Sequence, residues 1–288
     1  MVLEEEAIFR KVFNLSEKDR VVFDDGGWTS RIYLFDQGRF VIKFPRKESV
    51  KKEYQYEAQT YDLLKSQTIL ATPRLVELGK DASYLAYEGV QGVNFESYGR
   101  ANELLYQKMG SKLGEFLSWL HSQKVENYPQ QNLDELQSEL NHKFNLVKSV
   151  VSNRLSNEQM KKLESFVLDG YVSELSRWVQ ENVFCHGDLG PWNLVIQERE
   201  EIGVIDFGDS GLYDRSVDFS SLNNAAILGA CLDSYGSDSV LEKAVSLRCL
   251  MLPVVELPYY HGKGRMKEFE LNLNRIEQNM IDYPEYFK

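Results

Sequence analysis

Cysteine is scarce: three residues in 288 (Cys185, Cys231 and Cys249), none at CxxC spacing. That count offers no disulfide framework and fits small buried side chains in a reducing compartment. The four histidines, His121, His142, His186 and His261, show no metal-ligand spacing, so zinc is not indicated. Long apolar runs are missing, and the two most apolar stretches, Ala225–Leu232 and Cys249–Val255, are too short to span a bilayer. The start, Met1-Val2-Leu3 followed by Glu4, Glu5 and Glu6, lacks the basic region and apolar core of a signal peptide. A cytoplasmic location is therefore expected. No Gly-, Pro- or Ser-rich tract suggests a disordered tail. Basic charge is also short: 33 Lys and Arg face 44 Asp and Glu, a net of −11. Such a chain has no broad cationic face for a phosphate backbone, so nucleic acid is not an expected partner.

What is present suits a globular protein. The length allows one large domain or two modest ones, and 43% hydrophobic residues supply a core. The acidity is uneven. Residues 1–92 hold 15 acidic and 14 basic side chains, whereas residues 93–288 hold 29 and 19, a net of −10.

The first third has strand periodicity. Val21-Val22-Phe23 runs into the turn signal Asp24-Asp25-Gly26-Gly27, Arg31–Phe35 runs into Asp36-Gln37-Gly38, and Arg39–Phe44 stops at Pro45. This spacing predicts an antiparallel meander. A helix is predicted from Val50 to Ser66, with Tyr54, Ala58, Tyr61 and Leu64 on one face, and short strands at Arg74–Leu78 and Tyr84–Glu88. Gly89 and Gly92 place a hinge near 88–92, dividing a lobe at 1–90 from a mainly helical lobe at 93–288. Beyond the hinge Ala101–His121 is helical, and Asn132 with Glu135, Ser156 with Gln159, and Ser239 with Glu242 have capping-box spacing. Strands are expected at Val183–His186, Asn193–Gln197 and Gly203–Asp206.

The chemistry concentrates in Cys185-His186-Gly187-Asp188-Leu189-Gly190-Pro191-Trp192-Asn193 and in Ile205-Asp206-Phe207-Gly208-Asp209. Phosphoryl transfer needs a carboxylate to orient the acceptor hydroxyl, and hard oxygen ligands to hold Mg²⁺ against a triphosphate. Asp188 and Asn193 can share one loop, and a β-hairpin would return Asp206 beside them. Lys43, inside an apolar strand, would be an edge-strand solubility device if it stood alone. The loop Asp25–Ser30 before it and an acidic helix after it favour a phosphate-facing cation instead.

These two motifs resemble the signature pair of the aminoglycoside phosphotransferases, a family within a wider kinase-like group that includes macrolide, choline and homoserine kinases. Gly27–Leu34 and Phe44-Pro45-Arg46 are similar to the opening of bacterial antibiotic kinases, and the 2″-type aminoglycoside kinases resemble the chain most closely. The resemblance implies an α+β, bilobal protein-kinase-like fold, with a small antiparallel sheet lobe and a larger helical lobe. It implies Asp188 as the catalytic carboxylate, Asn193 and Asp206 as Mg²⁺ ligands, and Lys43 paired with a helix glutamate. Glu57 fills that last place because Tyr61 and Leu64 continue its face; Glu53, one turn earlier, stays open. Thr29 and Ser30 become candidates for phosphate contact, and His186 and Asp218 are structural supports. Asp209 stays open between a metal, the acceptor and a turn cap. Gly208-Asp209-Ser210-Gly211 mimics a protease loop but lacks its context.

The expected reaction is Mg²⁺-dependent transfer of the γ-phosphoryl of ATP or GTP to a small-molecule hydroxyl, by a monomer or weak dimer. The acidity after residue 92 suits a polycation such as an aminoglycoside. However, Asn223–Leu228 is neutral where 2″-type enzymes tend to carry acids, leaving Glu268 and Glu270 as substitutes. Macrolide, choline, homoserine or a sugar remain alternative acceptors, and a nucleotide-binding pseudokinase is the alternative of another class.

Overall fold

Alternating strands and tight turns set the first third of the molecule. The computed structural model describes residues 2–27, 29–179 and 181–288. After α1 (Val2–Val12), strands β1 (Val22–Asp24), β2 (Ser30–Phe35) and β3 (Phe40–Pro45) form the predicted meander. Helix α2 (Val50–Leu64), β4 (Arg74–Leu78) and β5 (Leu85–Glu88) follow, giving an antiparallel sheet of order β1-β2-β3-β5-β4. β3 therefore lies centrally, with Lys43 opposite Ile32 on one side and Leu85 on the other. An edge-strand role for that lysine is excluded.

α1 was not expected from the sequence. Its acids sit in the first turn and Arg10 and Lys11 in the last, matching the helix dipole. Phe9 is fully buried in a core with Tyr33, Ile42, Phe44 and Ala86. The buried Glu5 ties the helix to the sheet, accepting from Arg31 Nη2 at 2.6 Å and from the Tyr33 hydroxyl at 3.3 Å.

From β6 (Val93–Asn94) the chain continues through α3 (Glu103–Ser122), α4 (Leu133–Val151), α5 (Asn157–Ser165) and α6 (Tyr171–Leu175). A strand-rich stretch follows: β7 (Asn182–Cys185), β8 (Leu194–Ile196), β9 (Ile202–Val204) and β10 (Gly211–Asp214). It ends in α7 (Val217–Ser220), α8 (Ala225–Tyr235), α9 (Ser239–Gly262) and α10 (Met266–Asp282). The sequence anticipated β7, β8 and β9; it did not anticipate β10, which pairs with β7. Strands β6, β8 and β9 form a separate antiparallel sheet.

Two compact units result. The first comprises Met1–Tyr128, Phe184–Gly211 and Asn224–Gly236. Within it Asn224 caps α8, accepting from the Ala226 and Ile227 amides, and α8 packs along α3. The contact depends on Gly110 and Gly114, one turn apart. A Cβ there would stand 2.3 Å from the carbonyl oxygens of Ile227 and Cys231.

The second unit comprises Pro129–Val183, Leu212–Asn223 and Ser237–Lys288. Phe144, Val151, Leu163, Phe166, Leu257 and Ile276 pack in its core. Both capping boxes expected at Asn132 and Ser156 are formed. The third is not. Asp238 caps α9 by accepting from the Leu241 amide at 2.8 Å, and Glu242 instead accepts from the Ser237 hydroxyl. A carboxylate one residue earlier wins the cap because it brings negative charge to the helix N-terminus. Among the described residues no helix is long and apolar enough to cross a membrane.

Gly114→Val is expected to lower stability by about 1–3 kcal/mol in urea unfolding, since the new side chain must push apart the packed backbones of α3 and α8. Gly99→Ala, where a Cβ meets nothing within 4 Å, should stay within about 0.5 kcal/mol of wild type.

Candidate active site

The β8–β9 hairpin brings the two motifs together. Asn193 enters β8 and Asp206 follows β9, and the Ile205 amide donates to the Asn193 carbonyl at 3.0 Å. Both residues therefore stand at the same end of the hairpin. After β7 the chain turns at Gly187, whose φ of 90° is a conformation that costs other residues energy. His186, fully buried, locks the turn. Its Nδ1 accepts from the Asp188 amide at 3.2 Å, which puts the ring proton on Nε2, 3.0 Å from the Ile205 carbonyl. It thus joins the Asp188 loop to the Asp206 loop. A base would need a free nitrogen aimed at the acceptor.

Asp188 has an unsymmetrical carboxylate. Its Oδ2 accepts from Asn193 Nδ2 at 3.0 Å and from Trp192 Nε1 at 3.1 Å, while no hydrogen bond from the described residues reaches Oδ1. Asn193 Nδ2 also donates to the Asp188 carbonyl at 2.8 Å. The whole donor capacity of the amide is spent within the loop, and its oxygen is left available.

The sheet supplies a cation to the same place. Lys43 Nζ lies 2.7 Å from Glu57 Oε1 and 2.8 Å from Asp206 Oδ1, with the Tyr87 ring 5.7 Å away. Glu57 is 2% exposed and also accepts from the Tyr61 hydroxyl, one turn on in α2. Of the two candidates on this helix, the structure therefore brings Glu57 to Lys43. Asp206 has a left-handed backbone, φ 62°, which Asp tolerates better than most residues.

Residues 20–237, about three quarters of the chain, match the model of the APH phosphotransferase enzyme family. The chain belongs to this family. It is a small-molecule phosphotransferase. Among solved structures, the chain is similar to APH(2″)-IIIa in complex with GDP and kanamycin, at 20% identity and a TM-score of 0.76, covering 98% of this chain and 99% of that one. It is also similar to the macrolide 2′-phosphotransferase MphH from Brachybacterium faecium, at 16% identity and a TM-score of 0.63, covering 94% and 98%. Choline kinase LicA from Streptococcus pneumoniae matches at 15% identity and a TM-score of 0.62, covering 96% and 99%. At these identities the likeness is one of fold: a mixed α/β, kinase-like architecture.

In this phosphotransferase Asp209 sits beside the cluster, its carboxyl pushed up by desolvation and then by the Asp206 charge. Thr29 is exposed; Ser30 is buried and receives the Tyr54 hydroxyl at 2.6 Å. Trp28, which belongs to the same sequence stretch, lies outside the described residues. Asp218 is fully buried in α7. Asp209 is exposed, and the Ser210 beside it is buried, its hydroxyl toward the His186 carbonyl at 3.4 Å, which removes the protease-like reading. Glu268 pairs with Arg265 at 2.8 Å and Glu270 with Arg154 at 2.5 Å, so both carboxylates already have a cation.

Sequence reasoning missed Trp192, Tyr61 and Arg46 as site residues. Arg46 pins the glycine loop, donating to the Asp25 carbonyl at 2.6 Å and the Gly27 carbonyl at 3.1 Å. Its place directly after the family-like Phe44-Pro45 was the available signal.

The electrostatics divide the acids. The Lys43 ammonium holds the Asp206 carboxyl below its ordinary value, whereas burial pushes those of Asp188 and Glu57 up. Burial also opposes the charge on Lys43, but Asp206 and then Glu57 outweigh it and keep the ammonium well above the usual lysine range. An ionised Asp206 and the uncommitted oxygen of Asn193 form a hard oxygen donor set, which fits Mg²⁺ and not a soft metal.

Lys43→Met would leave Glu57 buried without its cation. An acid whose folded pKa is raised contributes stability that is complete below the unfolded value and is lost as pH rises through the folded one. The variant is therefore expected to lose about 1–3 kcal/mol more than wild type between roughly pH 5 and pH 8. Urea unfolding at the two pH values checks this.

Proposed function

We propose that the chain transfers the γ-phosphoryl of ATP or GTP to a hydroxyl of a small molecule, with an aminoglycoside-type polycation as the leading acceptor class. The observation that carries this reading is the meeting of Asp188, Asn193, Asp206 and Lys43 within one unit: Lys43 Nζ lies 2.8 Å from Asp206, Asn193 Nδ2 donates to Asp188 at 3.0 Å, and the Ile205 amide donates to the Asn193 carbonyl at 3.0 Å. Lys43, braced by Glu57, would hold the donor's α- and β-phosphates. Thr29 and the loop pinned by Arg46 would contact the phosphate chain, with Ser30 and Tyr54 beneath it. Asn193 and Asp206 would hold Mg²⁺, which when bound neutralises the triphosphate and the leaving diphosphate.

Asp188 Oδ1 would accept the acceptor's hydroxyl hydrogen and align its oxygen for in-line attack. Residues 1–90 would act as the nucleotide lobe, 93–288 as the lobe serving the acceptor, and 88–92 as a hinge. His186 and Asp218 keep structural roles.

Support for a cationic acceptor is the net −10 of residues 93–288. Asp209 is the acid best free to meet one, since Glu268 and Glu270 are paired with arginines. A second reading, an acceptor with less positive charge such as a macrolide, choline, homoserine or a sugar, is favoured by α8. The neutral stretch 223–228 holds a helix cap and an α3-packing face where acids would be wanted. We also propose a cytoplasmic protein that works as a monomer or weak dimer.

The test is a nucleotide-turnover screen with ATP and GTP against aminoglycosides, macrolides, choline, homoserine and amino sugars. Asp188→Asn is expected to lower kcat on the accepted substrate by about 10²–10⁴ while nucleotide KM stays within about twofold. Near-normal kcat in that variant would remove Asp188 from its role. Tight nucleotide binding without turnover for any acceptor would favour a pseudokinase. Chelation of divalent metal should abolish turnover, and Asp206→Ala should not recover when Mg²⁺ is restored.

A further inference from the structure

The loop after Asp188 contains a large aromatic that the reaction itself does not call for. The Trp192 indole N–H lies 3.1 Å from Asp188 Oδ2, the oxygen that also receives Asn193 Nδ2 at 3.0 Å. Its ring fills the space beside Gly190, where a Cβ would stand 2.4 Å from indole Cζ2. Its carbonyl receives Asn94 Nδ2 at 2.6 Å, which ties it to the end of β6. The indole is thus held by its ring, its backbone and its N–H.

We propose that Trp192 is a positioning residue for phosphoryl transfer. Together with Asn193 it saturates Asp188 Oδ2, fixing the carboxylate rotation so that Oδ1 is the edge offered to the acceptor hydroxyl. This inference rests on the reading of Asp188 as the acceptor-facing carboxylate. An indole N–H suits the task because it donates only and does not titrate in the working range. Asn193 cannot set the rotation alone. Its amide also serves the Asp188 backbone carbonyl, and its oxygen faces a separate demand if it holds a cation.

Trp192→Phe keeps an aromatic ring and removes the donor. It is expected to lower kcat by about tenfold to a hundredfold, with nucleotide KM within about twofold, because a hydrogen bond to a charged group is lost. A loss confined to kcat, with nucleotide KM unmoved, is a split that loosened packing alone would not produce.

Trp192→Gln places an amide nitrogen as many bonds from Cα as indole Nε1, and should recover some of the kcat lost in the Phe variant. In an Asp188→Asn background, Trp192→Phe should change kcat by less than about twofold, since the group it acts through is already gone. An unchanged kcat in Trp192→Phe would overturn the proposal. So would equal losses in both backgrounds. Should Trp192→Phe fail to fold, Trp192→Gln carries the test: kcat reduced less than about tenfold with nucleotide KM within about twofold supports a donor role, and a larger loss of kcat overturns it. If Asp188→Asn itself turned over normally, the phosphotransfer reading of Asp188 would fall first, an outcome separate from all of these.

Discussion

The site is organised by one buried cation. Lys43 lies on the central strand of the sheet, where an ammonium group is costly, and two carboxylates make the position tolerable. Glu57 belongs to α2 and Asp206 to the segment after β9, so a single side chain couples sheet, helix and the β8–β9 hairpin. The rest follows from that constraint. α2 must present Glu57 inward, which places Tyr54, Ala58, Tyr61 and Leu64 on the same buried face. The hairpin must hold Asp206 near Lys43, and the Ile205–Asn193 bond does so while placing Asn193 alongside.

The environment also gives the acids different characters. Asp206, against the ammonium, stays ionised and suits a cation ligand, whereas Asp188, half-buried and away from that ammonium, is pushed toward neutrality. Two carboxylates of one motif set are thereby pushed in opposite directions by their surroundings, and on the proposed reading this gives them separate tasks.

Much of this was legible in the sequence, because the informative contacts are local or periodic. The turn signals at Asp24–Gly27 and Asp36–Gly38 fixed the meander, the 54/58/61/64 spacing fixed the buried face of α2, and the short interval from Asn193 to Asp206 implied a hairpin. Other features were hidden for physical reasons. Among the described side chains of α1 only Phe9 and the paired Glu5 are fully buried, and Glu5 meets an Arg31 that is 26 residues away. Trp192 read as one more residue between a proline and an asparagine, since nothing in its spacing shows where an indole N–H will point. The cap of α9 turned on a competition between neighbouring residues 238 and 239, where spacing favours the wrong one. The neutrality of 223–228 was visible at once, but the close approach of α8 to Gly110 and Gly114 was not.

The unsymmetrical Asp188 carboxylate bears on selectivity as well as rate. A carboxylate with both oxygens open can serve a hydroxyl from either edge, and a polyhydroxylated acceptor could then present any of several adjacent groups. With Oδ2 occupied, only one edge and one approach direction remain. On the proposed reading, the choice among neighbouring hydroxyls is therefore made in some measure by the loop that carries the carboxylate. The acceptor pocket could diversify to admit new molecules while the stereochemical demand on the reacting oxygen stayed the same.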